Sequence, residues 1–218
     1  VVLAWRRGDF GITWDEQVQH RYGQLVLDYF LSGGQDQACL TYKNLFFYGP
    51  LWELLAAIVE RLSGADRYLA RHAVTLLAAL LAGVAVWRLA MRWPNPWAAP
   101  LAVAALFLLP RFIGDSANNS KDIPFAALFA LTLLAGQRWL VGPAAWRWSS
   151  ALLGGLALGA LLGTRVGGVL VLGPLGLTAL YRVWQLGVGA GIGVARLRTG
   201  CRALPRRGRR SVPRARGE

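Results

Sequence analysis

The sequence predicts an all-α membrane protein with about five transmembrane helices and with interfacial helices in a large first extracytoplasmic loop. Of the 218 residues, 55% are hydrophobic and only 16% are charged, whereas a soluble globular domain has roughly 25% charged residues. The apolar residues lie in long runs that short polar segments separate. This pattern argues against a soluble cytosolic enzyme and against a disordered chain.

The net charge of +13 is concentrated near the C-terminus. Residues 196–218 contain nine arginines and one acidic residue, Glu218. Arginine runs bind the phosphate backbone of nucleic acids, but beside a membrane span they more simply fix the topology or contact anionic lipid headgroups. We therefore expect no nucleic-acid partner.

The distribution of charge predicts three regions. Residues 1–71 are expected to form an extracytoplasmic loop with interfacial helices, residues 72–184 a transmembrane helical domain, and residues 185–218 a Gly/Arg-rich cytoplasmic tail. The chain opens with Val1 in an apolar stretch that is typical of the end of an earlier helix. We therefore expect the chain to be a fragment of a longer protein.

Two amphipathic segments lie in the first region. Between residues 17 and 31, apolar residues recur at the spacing of a helix face, which favours a helix lying in the membrane interface. Thr13 or Asp15 is expected to cap this helix. Residues 41–60 contain a Gly-Pro turn followed by an apolar segment that carries Glu53, and they predict a second interfacial helix.

Five apolar stretches predict the membrane spans. The first, residues 72–91, is 20 residues long, enough to cross a hydrocarbon core of about 30 Å. The other four stretches are residues 97–110, 123–140, 149–163 and 166–184. One helix over the last two stretches would be about 54 Å long, which is too long for a bilayer. We therefore expect a helical hairpin that turns at Thr164-Arg165.

The basic residues predict the orientation in the membrane. The loops 88–97 and 138–148 each contain two arginines and no acidic residue, so the positive-inside rule places them in the cytoplasm. Residues 1–71, the loop 111–122 and Arg165 then face the extracytoplasmic side. We expect a multi-pass protein of a bacterial inner (plasma) membrane.

Polar residues are concentrated in the loop between the second and third predicted spans. Arg111, Asp115, Lys121 and Asp122 all lie within residues 110–124. Ionisable groups this close to lipid are costly unless they are hydrated or paired, which favours a functional site. An ordinary solvated loop is the alternative.

Four short motifs together resemble those of a known enzyme family. They resemble it in their order along the chain and in lying on one predicted face of the membrane. They read Trp14-Asp15-Glu16, Tyr48-Gly49-Pro50-Leu51-Trp52, Pro110-Arg111-Phe112 followed by Lys121-Asp122-Ile123-Pro124, and Thr164-Arg165-Val166-Gly167-Gly168. With these motifs, residues 10–185 resemble the N-terminal portion of a GT-C glycosyltransferase of the family 39-like branch, which includes protein O-mannosyltransferases and aminoarabinose transferases. The resemblance implies a GT-C-like membrane fold that is truncated here.

The resemblance also implies an activity. Such enzymes move a sugar from a polyprenyl-phosphate carrier in the lipid bilayer to a hydroxyl of a protein, lipid or glycan acceptor at the extracytoplasmic face. The reaction needs a carboxylate base near the acceptor and cations near the phosphate. By its match to the family, Asp15 is the expected catalytic base, and the neighbouring Glu16 is the second catalytic candidate.

The same resemblance supplies the expected substrate-binding residues. Asp115 and Asp122 are candidates for orienting acceptor or sugar hydroxyls. Arginine offers a two-pronged set of donors to phosphate, whereas lysine offers a compact charge. The expected phosphate-binding cations are Lys43, Lys121 and Arg165, with Arg111 as a further candidate.

Three alternatives stay open at this point. In the first, Asp15 and Glu16 only complement the dipole of the helix that follows them. In the second, the chain is a truncated or non-catalytic membrane protein of the same ancestry. In the third, it is a component of a transporter or channel, which would carry ionisable residues within its spans. The predicted spans have ionisable residues only near their ends, as at Arg138 and Arg165.

The sequence does not identify a cofactor. A divalent cation is compatible with the reaction, but no cluster of His and Asp residues requires one, and we predict no metal site. His20 and His72 lie far apart in the sequence and are expected at the membrane interface.

Overall fold

The computed structural model describes residues 13–141 and 147–185. Within these ranges the secondary structure is helical, without a strand, which confirms the predicted all-α class. The first residues of the chain and the Arg-rich segment 186–218 lie outside the described residues. The predicted division into three regions and the expectation of a fragment therefore stay predictions.

The described helices follow one another along the chain with short connections. They are α1 (Glu16–Leu31), α2 (Ala38–Thr41), α3 (Leu51–Ser63), α4 (Arg67–Ala90), α5 (Ala98–Leu108), α6 (Pro110–Asp115), α7 (Asp122–Val141), α8 (Arg147–Leu162) and α9 (172–185). Short 3-10 segments, Leu45–Phe47 and Val166–Val171, precede α3 and α9.

The apolar stretches predicted as spans are helical but differ in length. Three segments are long and apolar enough to cross a membrane: α4, α7, and Val166–Gln185, which combines the second 3-10 segment with α9. The other two, α5 and α8, are apolar helices of 11 and 16 residues, and a perpendicular span needs about 20. The five predicted spans thus correspond to three full-length helices and two shorter ones.

The chain divides into two compact units, residues 1–178 and 179–218. In the second unit, residues 179–185 are described and are helical. The rings of Tyr181 and Trp184 stack there with their centroids 5.9 Å apart. The polar side chains around Asp15 and the cavities lined by described residues lie in the first unit.

Helix α7 packs along α4 and also along α8. Small residues permit the close approach, because Ala79 and Ala82 of α4 are buried in one cluster with Ile123 and Ala127 of α7. Helices in lipid gain little from hydrophobic burial, so close packing of small residues supplies much of their attraction. The packing places the first turns of α4 beside the segment that leads into α7.

Helices α1 and α3 pack against each other in the N-terminal part of the described chain. Gly23 makes this contact possible, because a Cβ atom there would lie only 2.6 Å from the carbonyl oxygen of Glu53. On α1, Tyr22, Leu25 and Val26 are buried, as the predicted apolar face requires. The contact positions Glu53 to face residues of α1.

The start of α3 is docked onto the end of α8. The backbone N–H of Leu51 donates to the carbonyl oxygen of Gly163 at 3.1 Å, and a Cβ atom on Gly49 would overlap this same carbonyl. Helix α8 ends at Leu162, and the chain turns through Thr164 and Arg165, as the hairpin prediction expected. Arg165 is thereby brought to the end of the molecule where α3 begins.

Candidate active site

Polar side chains from separate parts of the chain meet at one end of the helices. They come from the start of α1, the first turns of α3 and α4, the segment before α7, and the turn after α8. Several of these side chains are almost completely buried, so they must satisfy one another. The result is a buried network with a half-exposed carboxylate and two half-exposed cations at its edge.

Asp15 immediately precedes α1 but does not cap the helix with its side chain. Its Oδ1 accepts a hydrogen bond from the Thr13 hydroxyl at 2.9 Å, and its Oδ2 accepts one from the side-chain amide of Gln19 at 2.5 Å. The ammonium nitrogen of Lys121 lies 3.8 Å from the same Oδ2, and the Asp15 side chain is 35% exposed. Asp15 is therefore held in a fixed orientation while it stays accessible.

Glu16 has a different environment, although it is the next residue. It is only 1% exposed. Its Oε1 lies 3.0 Å from Nε2 of His72, and its Oε2 accepts the backbone N–H of Thr13 at 3.1 Å. Both carboxylate oxygens are thus engaged by protein groups. Glu16 ties α1 to α4.

His72 and His20, which were expected at the membrane interface, each have an acidic partner within the protein. His72 is 3% exposed and faces Glu16. His20 lies 2.9 Å from Oε2 of Glu60, which also accepts the amide of Gln24 at 3.0 Å. Each histidine therefore joins α1 to another helix.

Arg71 is at the centre of the buried network. Its Nη2 lies 2.6 Å from Oε2 of Glu53, in an ion pair rather than an aligned hydrogen bond, with both side chains at most 6% exposed. The same nitrogen lies 3.4 Å from Oε1 of Gln19 and 3.3 Å from Oγ of Ser120. One guanidinium thus connects α4 with α1, α3 and the segment before α7.

Ser120 completes the link from this network to Asp15. Its Oγ lies 2.5 Å from Oε1 of Gln19 and 2.7 Å from Oε1 of Glu53, and its single proton can be donated to only one of them at a time. Because Oε1 of Gln19 faces Ser120 and Arg71, the amide nitrogen of Gln19 faces Asp15. The buried network therefore sets the orientation of the Asp15 carboxylate.

Lys121 lies beside Asp15 at the edge of a small cavity. Its side chain is 30% exposed, and its ammonium nitrogen lies 5.4 Å from the centroid of the Tyr48 ring. The cavity has room for about one water molecule. Its lining includes Gln19, Tyr48, Trp52, Glu53, Ser120 and Lys121.

Asp122 and Arg165 form a second, more exposed pair. Nη1 of Arg165 is in contact with Oδ1 of Asp122, and the two side chains are 43% (Asp122) and 38% (Arg165) exposed. The amide of Asn119 donates to Asp122 at 3.1 Å and to Asp115 at 3.3 Å. Arg111 is 86% exposed and lies 3.5 Å from Asp115. The segment is therefore an ordered set of paired charges.

Lys43 is the predicted site residue that the structure leaves outside this assembly. It is exposed, and its ammonium nitrogen lies 5.9 Å from the centroid of the Tyr42 ring. Among the described contacts, none joins Lys43 to the network or to the Asp122–Arg165 pair. The structure thus brings together Asp15, Lys121, Asp122 and Arg165, with Asp115 linked through Asn119.

Tyr22 illustrates the electrostatics beneath the site. Burial raises the pKa of its hydroxyl, and the nearby Cys39 and Glu53 raise it further. The hydroxyl therefore stays protonated at neutral pH and is not a candidate base. Within the described residues, no group of three or more His, Cys, Asp or Glu side chains is arranged to hold a metal ion.

The comparison with known families identifies the family of the chain. The family model for dolichyl-phosphate-mannose-protein mannosyltransferases matches residues 39–192, more than half of the chain. The chain belongs to this mannosyltransferase family. The match confirms the resemblance to GT-C glycosyltransferases and indicates a membrane glycosyltransferase. It includes Lys121, Asp122 and Arg165, whereas Asp15 and Glu16 precede it.

No curated protein and no solved structure matches the chain.

Sequence reasoning missed the buried residues that hold Asp15 and Glu16 in place. They are Gln19, Glu53, Arg71, His72 and Ser120. One signal was present, because a glutamate in the apolar segment of α3 and an Arg-His pair at the edge of a long apolar run need buried partners. Gln19 and Ser120 gave no signal, since neutral polar residues are common in exposed loops and helix faces.

Proposed function

We propose that this family member transfers a sugar from a polyprenyl-phosphate carrier to an acceptor hydroxyl, with Asp15 as the general base. The observation that carries the proposal is the contrast between Asp15 and Glu16. Asp15 is oriented by two hydrogen bonds, is 35% exposed and adjoins Lys121. Glu16 is only 1% exposed and faces the buried His72, so its role is to position α1.

The acceptor, the lipid-linked sugar and Asp15 account for every bond and proton in the proposed transfer. The oxygen of the acceptor hydroxyl forms a bond to the anomeric carbon of the sugar, and its proton passes to the Asp15 carboxylate. The bond between the anomeric carbon and the phosphate oxygen breaks, and polyprenyl phosphate leaves with the electron pair. A base in this position requires an exposed oxygen close to the acceptor, which Asp15 supplies.

The phosphate of the carrier needs cations that stabilise its charge as it leaves. Lys121 lies next to Asp15, and it precedes Asp122, the partner of Arg165. The contact with Asp122 uses one nitrogen of Arg165, and a guanidinium has five N–H donors. Lys121 and Arg165 are therefore the proposed phosphate-binding cations, with Asp115 and Asp122 available to orient sugar or acceptor hydroxyls.

We place this end of the protein on the extracytoplasmic side of a bacterial inner membrane. The support is the charge at the opposite ends of α4 and α7, where Arg88, Arg92 and Arg138 line one cavity. Basic residues at one end of a helical bundle favour its cytoplasmic location. The lipid-linked donor then reaches the Asp15 end from the outer leaflet.

The donor class is tested with the full purified chain in detergent or lipid nanodiscs. It is supplied with a serine- and threonine-containing peptide and either dolichyl-phosphate-mannose or GDP-mannose, each with a radiolabelled sugar. We expect labelled peptide only from the lipid-linked donor. If GDP-mannose is a donor and the lipid-linked mannose is not, the proposal is wrong. If neither donor supports transfer with any of several lipids and acceptor peptides, the result favours the non-catalytic alternative.

The two lysines of the chain distinguish the proposed phosphate cation from the residue that the structure leaves outside the site. We expect Lys121→Gln to raise the KM for the lipid-linked donor about tenfold, because a charge-assisted contact to phosphate contributes roughly 1.5–3 kcal/mol. Lys43→Gln should change that KM less than twofold. An equal effect of both substitutions on the donor saturation curve would refute the assignment of Lys121.

A further inference from the structure

Three arginines surround one cavity at the end of the molecule opposite Asp15. Arg88 lies in the last turn of α4, Arg92 follows that helix, and Arg138 lies in the last turn of α7. The cavity has a volume of about 200 Å³, and Met91 and Leu134 complete its lining. Three guanidinium groups on so small a cavity repel one another.

The stretches of sequence around these arginines are free of acidic residues. Residues 67–114 and 123–217 contain no aspartate or glutamate. The described partner of Arg92 is neutral, because its Nη1 donates to Oε1 of Gln137 at 3.1 Å. Burial and the charge of Arg138 lower the pKa of Arg92. An arginine nevertheless stays protonated in proteins, so the cavity carries positive charge that an external anion would stabilise.

An apolar groove continues from this basic cavity between α7 and α8. Leu134 and Arg138 line both spaces, and the groove has a volume of about 390 Å³. Its lining is otherwise almost entirely aliphatic, with Ser150 as the polar exception. The groove extends along α7 from Arg138 to Leu128, which is about 15 Å at 1.5 Å per residue.

We propose that the basic cavity and the adjoining groove form a binding site for an anionic phospholipid of the inner leaflet. The phosphate of the headgroup contacts Arg88, Arg92 and Arg138, and one acyl chain lies in the groove. The groove is as long as half of a hydrocarbon core of about 30 Å, which is the depth of one leaflet. A soluble anion would leave the apolar groove unfilled, and a zwitterionic headgroup would add a cation to a cluster of three.

This site is separate from the proposed transfer site. It lies at the other end of α4 and α7, and its residues have no described contact with Asp15 or Lys121. Occupancy of this site depends on the fraction of anionic lipid in the membrane, because basic residues near a membrane surface contribute about 1 kcal/mol each to the binding of anionic lipid.

Native mass spectrometry of the full chain tests this inference. The protein is released from detergent in the presence of phosphatidylglycerol or phosphatidylcholine of the same chain length, and lipid adducts are counted at a series of concentrations. We expect the apparent affinity for phosphatidylglycerol to exceed that for phosphatidylcholine at least tenfold. Removing one arginine should weaken phosphatidylglycerol binding about fivefold, and the combined variant Arg88→Gln/Arg92→Gln/Arg138→Gln should abolish the preference.

A matched variant removes the same charge at the other end of the molecule. Arg21, Arg61 and Arg67 lie in α1, α3 and α4 and are exposed, so Arg21→Gln/Arg61→Gln/Arg67→Gln should retain the preference. Circular dichroism and gel filtration establish that both triple variants are folded. The proposal is wrong if both triple variants lose the preference for phosphatidylglycerol equally. It is also wrong if the unchanged protein binds phosphatidylglycerol and phosphatidylcholine equally well.

A second arm distinguishes a lipid from a free phosphate. Inorganic phosphate at millimolar concentration should displace phosphatidylglycerol only weakly, because it gains nothing from the groove. Ala157→Phe, which places a ring in the groove while leaving the arginines in place, should weaken phosphatidylglycerol binding at least fivefold. If inorganic phosphate displaces the lipid fully and Ala157→Phe has no effect, the site is an anion site without a lipid chain, and the inference is wrong.

Discussion

At the scale of single residues, burial separates two acidic neighbours that the sequence treats alike. Asp15 and Glu16 are adjacent carboxylates at the start of one helix. The first turn of α1 directs Glu16 inward to His72 and leaves Asp15 at the surface with Lys121. A buried carboxylate paired inside the protein stabilises structure, whereas an accessible carboxylate beside a cation can exchange a proton with a substrate.

The buried pair of Glu53 and Arg71 gives the first prediction at this scale. Arg71→Met leaves the Glu53 charge buried without its partner, and breaking such a pair costs about 3–5 kcal/mol. The double variant Glu53→Leu/Arg71→Met removes both charges and should be more stable than Arg71→Met alone. Unfolding of the detergent-solubilised protein, followed by tryptophan fluorescence, measures the difference. A double variant less stable than the single one would show that the pair is not the principal interaction of Arg71.

The residue scale is also where sequence reasoning reached its limit. Asp15, Lys121, Asp122 and Arg165 could be predicted, because family motifs carry them. Gln19 and Ser120, which orient Asp15, could not, since a neutral amide or hydroxyl gains its role only from the buried charge placed beside it. Lys43 was predicted to bind phosphate because of its charge, but in the structure its ammonium group lies over the ring of Tyr42, outside the site.

At the scale of elements, hydrophobic periodicity predicted most of the helices. The helix expected over residues 17–31 is observed at Glu16–Leu31, and the stretch 123–140 is observed as Asp122–Val141. The first span is predicted from residue 72, whereas α4 already begins at Arg67 behind the capping side chain of Asp66. Arg71 lies in the first turns of this helix, one residue before the predicted span.

The contact between α3 and α8 yields a prediction at the element scale. A Cβ atom on Gly49 would overlap the carbonyl of Gly163, so Gly49→Ala should separate the start of α3 from the end of α8. Overpacking of this kind costs roughly 1–3 kcal/mol. Because Tyr48 and Arg165 flank this contact, transfer activity should fall together with thermal stability.

Gly155→Ala is the matched control for this change. Gly155 lies within α8, and a Cβ atom there would meet no atom within 4 Å. Alanine is favoured over glycine in a helix by up to about 1 kcal/mol, so this variant should be as stable as the parent protein or more stable. Equal destabilisation by both substitutions in a thermal melt would contradict the proposed contact.

At the scale of the whole molecule, the two ends of the helices differ in charge, because acidic residues pair with basic ones at one end and three arginines meet at the other. The paired acids gather around Asp15 and Asp122, while Arg88, Arg92 and Arg138 meet at the other ends of α4 and α7. This separation is the physical basis of the proposed orientation, because inner-leaflet loops favour arginine and lysine. It also keeps the proposed transfer site and the proposed phospholipid site on different membrane faces.

Labelling of introduced cysteines tests this orientation. Trp14, 91% exposed beside Asp15, and Trp93, 72% exposed beyond α4, are replaced by cysteine one at a time in a protein whose Cys39 and Cys201 have been replaced by serine. A membrane-impermeant maleimide added to intact spheroplasts should modify the Trp14→Cys protein and leave the Trp93→Cys protein unmodified until the membrane is opened. The reverse pattern would place Asp15 in the cytoplasm and rule out the proposed outer-leaflet donor.

The measurement that tests the central claim most directly is the donor saturation curve of Asp15→Asn, with Glu16→Gln measured in parallel. Asparagine keeps the size of Asp15 and its acceptor oxygen but cannot take the acceptor proton, so kcat with dolichyl-phosphate-mannose should fall by about 10²–10⁴-fold while KM for the donor changes little. Glu16→Gln should act mainly by lowering thermal stability. If Asp15→Asn transfers sugar at a rate close to that of the parent protein, Asp15 is not the base and the proposed mechanism is wrong.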